Sequence, residues 1–151
     1  MILTPTAVTA PELVQRATDV WAALGAQVLL MSPENHDAAF AAVSHLPHLL
    51  AFAYINAVAR QPAGKDYLSL AGPGFRDFTR IAASEPTVWR DILVANREEV
   101  LKQLQQFRQS LEALEATLRA GRGDALEPLI RQASDVRAAW QPGGPKPAAP
   151  R

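Results

Sequence analysis

The order of apolar and polar positions over the first thirty residues predicts a strand, a helix and a second strand. A short apolar run ends at residue 3, and a turn of threonine and proline closes it. Over residues 11–24 apolar side chains recur at helical spacing, after a proline that suits a first helical turn. Gly25 ends this helix, and the apolar run at 27–31 predicts a buried strand. Because two strands need a larger sheet to join, residues 1–31 are expected to be the edge of another domain.

From Ser32 onward the pattern predicts helices. Ser32 is a suitable cap before Pro33, and the helix is predicted to extend to about Arg60. Pro47 lies inside it and lacks the backbone N–H that an interior position donates, so a kink or break is expected near residues 43–46. The segment after Pro47 is apolar on every side, which is typical of a helix in a core or in an oligomer interface.

Further helices follow a loop that is predicted over residues 60–74 from its prolines and glycines. They are predicted over residues 75–83, from Pro86, over residues 97–120 and up to residue 140. The long helix carries a stripe of apolar residues at spacings of three and four, called the leucine stripe below: Leu101, Leu104, Phe107, Leu111, Leu114 and Leu118. Such a stripe is usually ordinary core, but its length here favours a dimer. The predicted fold is mainly α over residues 32–140, and residues 141–151 are expected to be a disordered tail.

Composition narrows the classes of function. Fifteen basic and fifteen acidic residues leave no net charge, so nucleic acid is not an expected partner. There is no cysteine, which excludes disulfides and thiolate chemistry and permits a cytoplasmic location. The longest apolar run, residues 49–59, is about half of the roughly 20 residues in a membrane span, so no span is predicted. The first residues also lack the basic and apolar regions of a signal peptide.

All three histidines of the chain lie close together in sequence, which makes a metal site the first possibility to consider. His36 and His45 fall on opposite faces of a straight helix, and Pro47 disturbs the geometry of the pair His45 and His48. We therefore predict no metal site. For His36 the simple interpretation is pairing with Asp37 or with solvent, and no ligand role is assigned to it.

Ser44, His45 and His48 flank the predicted helix irregularity in an apolar neighbourhood. An irregular turn frees backbone amides and carbonyls, and the two imidazoles can simply satisfy them. Alternatively, their ring nitrogens offer hydrogen bonds to a polar ligand, which the grouping of two histidines with a serine favours. Ser44 has no partner acid and no nucleophile elbow, so it is not a supported nucleophile.

An arginine on the next predicted helix is a candidate for binding an anion. Arg80 follows Phe75 and Phe78 and precedes Ile81, so its guanidinium is expected to be partly buried. Asp77, three residues earlier, is placed to pair with it. A buried guanidinium is usually paired, and its planar fork matches a ligand carboxylate.

Trp89 begins a tryptophan–arginine–aspartate triplet. From these residues alone, its ring is expected in the core, and Arg90 and Asp91 are expected to form a solvated charge pair that contributes little to stability.

Four stretches of the chain occur in an order that is similar to the prephenate dehydrogenase family, which includes arogenate and cyclohexadienyl dehydrogenases. They are ILTPT at residues 2–6, MSPENHDAAFAAVSHLPHLLAFA at 31–53, GPGFRDFTRIAASEP at 72–86 and VWRDILVANRE at 88–98. The combination of HD, SHLPH, the GF-x-D-x-TR-I-A segment and WRD is specific to that family, and the resemblance extends from residue 2 to about residue 118.

The resemblance implies a two-domain enzyme. An N-terminal Rossmann domain binds NAD or NADP, and a C-terminal helical domain of the 6-phosphogluconate-dehydrogenase-like type provides the dimer interface and part of the substrate pocket. Such an enzyme removes a hydride from the ring carbon of prephenate that carries the hydroxyl, with loss of the ring carboxylate as CO2, and yields hydroxyphenylpyruvate, a tyrosine precursor. The family's glycine-rich fingerprint and catalytic histidine precede the ILTPT stretch, and neither is in this sequence.

The chain is therefore expected to be the C-terminal part of such an enzyme, with residues 1–31 as the edge of the nucleotide domain. It is expected to bind no cofactor alone, to be inactive alone, and to be a cytoplasmic homodimer. The resemblance implies that Arg80 holds a substrate carboxylate. It implies that His48 contacts the substrate side chain of prephenate or arogenate and, in some members, the inhibitor tyrosine. The remaining positions that match pocket-lining or supporting residues are Ser44, His45, Asp77 and Trp89.

Two other interpretations are open at this point. The chain can be a stand-alone helical module that binds tyrosine or an aromatic acid and acts through regulation or a partner protein. It can also be a degraded reading frame with no function of its own.

Overall fold

The structure is a computed structural model in which residues 1–141 are described. The predicted disordered tail lies outside the described residues, apart from Gln141. The chain divides into two compact units, Met1–Leu104 and a second that begins at Gln105, and each is described by itself. The sequence-based division, in which residues 1–31 are the edge of another domain, stays a prediction.

The first unit opens with a small β-α-β element. Strand β1, Ile2–Leu3, pairs in parallel with strand β2, Leu29–Leu30, and helix α1, Pro11–Ala23, connects them. Gly25 ends the helix with a positive φ of 82° and donates its N–H to the carbonyl of Ala22. The predicted order of strand, helix and strand is confirmed, although both strands are shorter than predicted.

Little of this β-α-β element is buried within the chain. The side chains of Leu13, Val20 and Leu24 on and after α1 are 59%, 53% and 73% exposed. The sheet has two strands with two paired residues each, whereas an independently stable sheet needs three or more strands. The expectation that residues 1–31 belong to a larger sheet stays a prediction.

One continuous helical segment carries the SHLPH motif. Helix α2, Pro33–Phe40, leads into a π-helical turn, Ala41–His45, and then into helix α3, Leu46–Ala59. The Ser32 hydroxyl caps its start by accepting a hydrogen bond from the backbone N–H of Asn35 at 3.2 Å, as predicted. The irregularity before Pro47 is also present, but it widens the helix without breaking it, because the N–H of Leu46 bonds to the carbonyl of Ala41 five residues back.

Five further helices complete the part of the chain that the structure describes. They are α4, Gly64–Ser69; α5, Pro73–Thr79, continued by a 3-10 turn at Arg80–Ala83; α6, Pro86–Ala95; α7, Arg97–Arg119; and α8, Gly123–Ala139. The Glu85 carboxylate caps α6 by accepting from the N–H of Val88 at 2.7 Å. The prediction of a loop over residues 60–74 was wrong in part, because α4 lies inside it. Gly64 of α4 packs against the end of α3. The residue type alone does not reveal such a tertiary contact.

The buried core of the first unit consists of small or medium side chains. The buried residues are Ala41, Leu46, Ala51, Gly64, Thr79 and Val100. Only Leu46 and Ala51 of α3 are buried, and Tyr54 on the same helix is 44% exposed. A core position for the all-apolar segment after Pro47 is therefore wrong for this chain, and the oligomer interface is the alternative that remains.

The helical segment Pro33–Ala59 is, by length and composition, the one helix among the described residues that is long and apolar enough to cross a membrane. The sequence-based argument against a span considered residues 49–59 alone. Because Pro47 does not break the helix, the continuous segment has 27 residues. This feature by itself is weak evidence for a membrane, since an apolar helix at a protein–protein interface has the same composition.

The second unit contains the end of α7 and all of α8. Between these helices lies an open apolar cavity of about 620 Å³, lined by Leu114, Leu129, Ala133, Val136 and Trp140 among others. Within it the guanidinium of Arg137 lies 5.0 Å from the centre of the Trp140 ring. Here the leucine stripe is largely exposed, with Phe107, Leu111 and Leu118 at 36%, 50% and 64%, so it is not core within the described chain.

Gly64 is a position where only glycine fits. A Cβ there would lie 2.6 Å from the carbonyl oxygen of Val58 and 2.9 Å from that of Ala59. We expect Gly64→Ala to lower the free energy of unfolding by about 1–3 kcal/mol, the usual cost of overpacking, because backbone carbonyls cannot move aside cheaply. Urea unfolding monitored by circular dichroism measures this loss.

Gly74→Ala is the matched control, since a Cβ at Gly74 meets nothing within 4 Å. That variant should be as stable as the parent or slightly more so. Equal effects of the two substitutions would contradict the close approach of α4 to the end of α3.

Candidate functional site

The π-helical turn and the first turn of α3 bring two imidazoles to one place. His48 is half-buried, and its Nδ1 lies 2.9 Å from the carbonyl oxygen of Ser44. Because a carbonyl can only accept, Nδ1 of His48 carries the proton in this bond. One ring nitrogen thus satisfies the backbone of the irregular helix, and the other, Nε2, is left for a further partner. Both interpretations of this histidine are therefore compatible.

His45 is held by an asparagine from a distant part of the chain. Its Nδ1 lies 3.1 Å from the side-chain Nδ2 of Asn96, and the same Nδ2 lies 2.8 Å from the carbonyl oxygen of Asp37. Asn96 occupies the break between α6 and α7, so it links that junction to α2 and to the π-helical turn. All of these groups are part-buried.

Trp89 on α6 provides the surface on which both histidines pack. Its ring lies parallel to the His48 ring, with a centroid distance of 3.4 Å and an interplanar angle of 17°. The His45 ring meets it edge-on at 6.2 Å and 77°, and the Phe52 ring does so at 6.4 Å. Each edge-to-face contact adds about 0.5–1.5 kcal/mol beyond the area it buries. The neighbours Arg90 and Asp91 form an exposed pair at 2.7 Å, as predicted.

Burial favours the neutral form of His45 in the group formed by His45, His48, Trp89 and Asn96, called the histidine–tryptophan cluster below. It lowers the pKa of His45 below its ordinary value, and the charges of His36 and His48 lower it further, whereas Asp37 acts in the opposite direction. A neutral imidazole offers one donor and one acceptor, which suits recognition of a polar ligand group.

His36 lies beside this cluster without joining it. Its Nδ1 is 2.9 Å from a carboxylate oxygen of Asp37, and its ring stacks on Phe40 at 4.4 Å. The predicted pairing with Asp37 is confirmed. Among residues 1–141, no group of three or more His, Cys, Asp or Glu side chains is arranged to hold a metal ion.

The expected environment of Arg80 was wrong. Arg80 begins the 3-10 turn after α5 and is exposed, and Phe78 beside it is 53% exposed. Asp77 pairs instead with Arg76, at 3.1 Å on the protein surface. Because Asp77 and Arg80 are exposed, no buried environment holds the predicted pair together, and Asp77 bonds to its sequence neighbour instead. The guanidinium of Arg80 is not buried, so burial no longer supports a role in ligand binding. Among the described residues this guanidinium has no acidic partner.

Sequence reasoning missed Asn96. The sequence feature that could have identified it is a polar amide residue at the break between two predicted helices. It directly follows an apolar run and precedes an arginine. Such a residue resembles an ordinary helix terminus, and its contacts lie 51 and 59 residues away in the chain. Spacing along the sequence cannot show contacts at that separation.

A family model described as the prephenate dehydrogenase dimerization domain matches residues 32–132, which is more than half of the chain. The chain belongs to the prephenate dehydrogenase family. The predicted resemblance and the predicted helical fold class are both confirmed by this match.

Two curated relatives in this family show how much of an enzyme the chain represents. The cyclohexadienyl dehydrogenase of Zymomonas mobilis is 34% identical over 141 residues, which are 92% of this chain and 48% of that enzyme. The prephenate dehydrogenase of Bacillus subtilis is 30% identical over 140 residues, which are 90% of this chain and 37% of that enzyme. The chain thus spans about half the length, or less, of the curated relatives it matches, and corresponds to their C-terminal part.

Solved structures of the family share the fold. The prephenate dehydrogenase from A. aeolicus in complex with hydroxyphenyl propionate and NAD+ matches with a TM-score of 0.84 and 38% identity, over 91% of this chain and 48% of that one. Synechocystis arogenate dehydrogenase matches with a TM-score of 0.80 and 34% identity, over 91% of this chain and 50% of that one.

The connection between β1 and α1 does not fit the pyrophosphate of a dinucleotide. A Rossmann fold holds the pyrophosphate on a glycine-rich turn between a strand and a helix. The connection here between β1 and α1 runs over residues 4–10 and contains no glycine. No step of a reaction that depends on the cofactor is therefore assigned to the groups of this chain.

The lowered pKa of His45 makes stability depend on pH. Below about pH 6.5, the ordinary histidine value, the unfolded chain binds a proton at this residue that the folded chain resists. We expect the free energy of unfolding to fall as pH decreases from about 7.5 through 6.5, with the loss complete only below the lowered pKa of the folded state. Urea unfolding at several pH values measures the slope.

His45→Gln is the diagnostic variant, since it removes the titrating group and should reduce the slope over that range. His36→Gln, which removes a histidine whose ring lies outside the cluster, should retain most of it. An unchanged slope in His45→Gln would show that residue 45 does not carry the effect.

Proposed function

We propose that this chain is the substrate-binding and dimer-forming part of a prephenate dehydrogenase. The complete enzyme would oxidise prephenate with NAD or NADP, with loss of CO2, to 4-hydroxyphenylpyruvate in tyrosine biosynthesis. The hydride leaves the ring carbon that carries the hydroxyl, and the electrons of the broken carbon–carboxylate bond complete the aromatic ring. The family match over residues 32–132 carries this proposal, and a nucleotide domain outside the groups described here would hold the cofactor.

The chemistry of the site agrees with an aromatic acid as ligand. The histidine–tryptophan cluster combines a flat apolar surface with ring nitrogens that form directed hydrogen bonds, so it suits a cyclic ligand with oxygen substituents. The bound hydroxyphenyl propionate of the A. aeolicus enzyme has that character.

Within this site we assign His48 and His45 to hydrogen bonds with the ligand, and Ser44 to the lining of the same turn. Arg80 is assigned to a ligand carboxylate by its match to the family motif and by its lack of an acidic partner in the described chain. Trp89 supports both rings. Asp77 pairs with Arg76 and not with Arg80, so the supporting role predicted for Asp77 is not proposed further.

Tyrosine shares the hydroxyphenyl ring and the carboxylate of the product. We therefore propose that tyrosine, where it inhibits, occupies this same site.

We propose that the chain forms a homodimer through its exposed apolar residues. Tyr54 of α3 is 44% exposed, and four residues of the leucine stripe, Leu101, Phe107, Leu111 and Leu118, are 36–64% exposed. Contiguous exposed apolar residues of this kind mark interaction surfaces. The matched family model is described as a dimerization domain, which supports a second copy as the covering partner. A protein partner also accounts for the apolar segment Pro33–Ala59 without lipid, and on that basis we propose a cytoplasmic enzyme.

A fusion tests the proposed activity. Joined to the half of the A. aeolicus enzyme that this chain does not cover, the chain should form NADH on addition of prephenate and NAD, whereas the chain alone should not. Arg80→Gln in the fusion is expected to raise the KM for prephenate about 10- to 100-fold, since a hydrogen-bonded charge partner of the carboxylate is lost. Absorbance of NADH at saturating and limiting prephenate gives KM and kcat.

Arg90→Gln is the control, because Arg90 is an exposed arginine whose only described partner is Asp91. It should leave KM unchanged. Turnover by the unfused chain, or equal effects of the two variants, would contradict the assignment. Tight calorimetric binding of tyrosine by the unfused chain, with an inactive fusion, would favour the regulatory module instead.

A charge in the leucine stripe tests the dimer. Leu111 is 50% exposed near the middle of α7, and Leu111→Glu is expected to convert a dimer at micromolar concentration into a monomer, because an unpaired carboxylate is costly to bury in an interface. Sedimentation velocity distinguishes the two species.

Gln109→Glu adds the same charge on an exposed position of the same helix and should remain dimeric. A parent chain that sediments as a monomer at micromolar concentration would remove the proposal of a homodimer.

A further inference from the structure

Asn96 occupies a position from which one side-chain nitrogen reaches two segments at once. The residue ends α6 with a non-helical backbone, at φ −104° and ψ 28°, and α7 begins immediately after it. Its Nδ2 contacts the carbonyl oxygen of Asp37 at 2.8 Å and Nδ1 of His45 at 3.1 Å. The side chain is part-buried, so these bonds are not readily replaced by water.

The contact with Asp37 fixes which way the amide points. A backbone carbonyl only accepts hydrogen bonds, so the amide atom facing it must be the NH2 group and not the amide oxygen. The NH2 group has a second hydrogen, and it lies within reach of Nδ1 of His45. An atom that faces a donor must accept, which requires that Nδ1 of His45 carry no proton.

We propose that Asn96 is a positioning residue that holds His45 as the neutral tautomer with its proton on Nε2. The site then presents two imidazoles in opposite tautomers. His45 donates from Nε2, whereas His48, whose Nδ1 donates to the Ser44 carbonyl, offers Nε2 as an acceptor.

The consequence for recognition rests on the proposed function. One donor and one acceptor on a shared tryptophan surface fit a ligand that has both an acceptor oxygen and a hydroxyl or other donor. A keto or carboxylate oxygen would accept from His45, and a group that donates would face His48. If His45 carried its proton on Nδ1, both rings would present acceptors and would repel such an oxygen.

The surroundings of His45 agree with a neutral ring. The ionisable groups that act on it are His36 and Asp37 on the preceding helix and His48 on the following one. From the α6–α7 side it is faced by Trp89 and Asn96, neither of which is ionisable. Burial and the two other histidines oppose a proton on the ring more than Asp37 favours one, so a neutral amide partner is electrostatically consistent.

Nitrogen-15 NMR of the full chain with labelled histidine tests this assignment, since a protonated and an unprotonated ring nitrogen resonate at well-separated shifts. The chain has three histidines, and His45→Gln identifies the signals of residue 45. At neutral pH we expect the proton on Nε2 of His45 and on Nδ1 of His48. In Asn96→Asp the new carboxylate can only accept, so the proton of His45 should move to Nδ1 and its pKa should rise by about one pH unit or more.

Asn56→Asp adds the same charge at an exposed position of α3 and should leave both tautomers unchanged. A proton on Nδ1 of His45 in the parent chain, or one that stays on Nε2 in a folded Asn96→Asp, would overturn the proposal. If circular dichroism shows that Asn96→Asp does not fold, the tautomer in the parent chain decides alone. The measurement uses no prephenate, so its failure is distinct from failure of the dehydrogenase assay.

Discussion

The absence of a backbone N–H at Pro47 is the constraint on which the site depends. An ordinary α-helix would leave the carbonyl four residues earlier without its donor and in collision with the proline ring. The chain widens into a π-helical turn at Ala41–His45 and then continues, so a helix of 27 residues survives. The widened turn alters the direction of the side chains that precede the proline relative to those that follow it. It thereby sets His45 toward Asn96 and His48 over Trp89.

Much of the fold could be predicted from the sequence because its signals are local. Ser32 before Pro33, Glu85 before Pro86 and Gly25 after α1 mark helix ends through hydrogen bonds within a few residues, and the structure has each of them. The form of the irregularity at Pro47 could not be predicted in the same way. A helix can accommodate the missing N–H of a proline either by breaking or by forming a π-helical turn. Tertiary packing on either side decides between these two outcomes. Helix α4 was missed for a similar reason. Gly64 was interpreted as a loop residue, whereas it allows the backbone of α4 to lie close to the end of α3.

Most residues of the candidate site could be predicted from the sequence, but their geometry could not. Ser44, His45, His48 and Trp89 were named from composition and from the family resemblance, and the structure brings the two histidines onto the tryptophan across 41 or more residues of chain. The expected burial of Arg80 failed because the apolar residues near it in sequence do not cover it, and Phe78 is itself 53% exposed. Asn96 escaped notice because its partners are remote in sequence, although it supplies the bond that relates α6 and α7 to the π-helical turn.

The same chain that builds a specific cluster leaves apolar side chains exposed on α1 and along the leucine stripe. Both features suit a part of a larger dimeric enzyme, whose remaining surfaces would cover these faces. The most direct test is a crystal structure, with bound hydroxyphenyl propionate, of this chain fused to the half of the A. aeolicus enzyme that it does not cover. The ligand is predicted to touch His45 and His48, with its carboxylate within hydrogen-bonding distance of Arg80. A ligand bound elsewhere, with the histidine–tryptophan cluster untouched, would contradict the account.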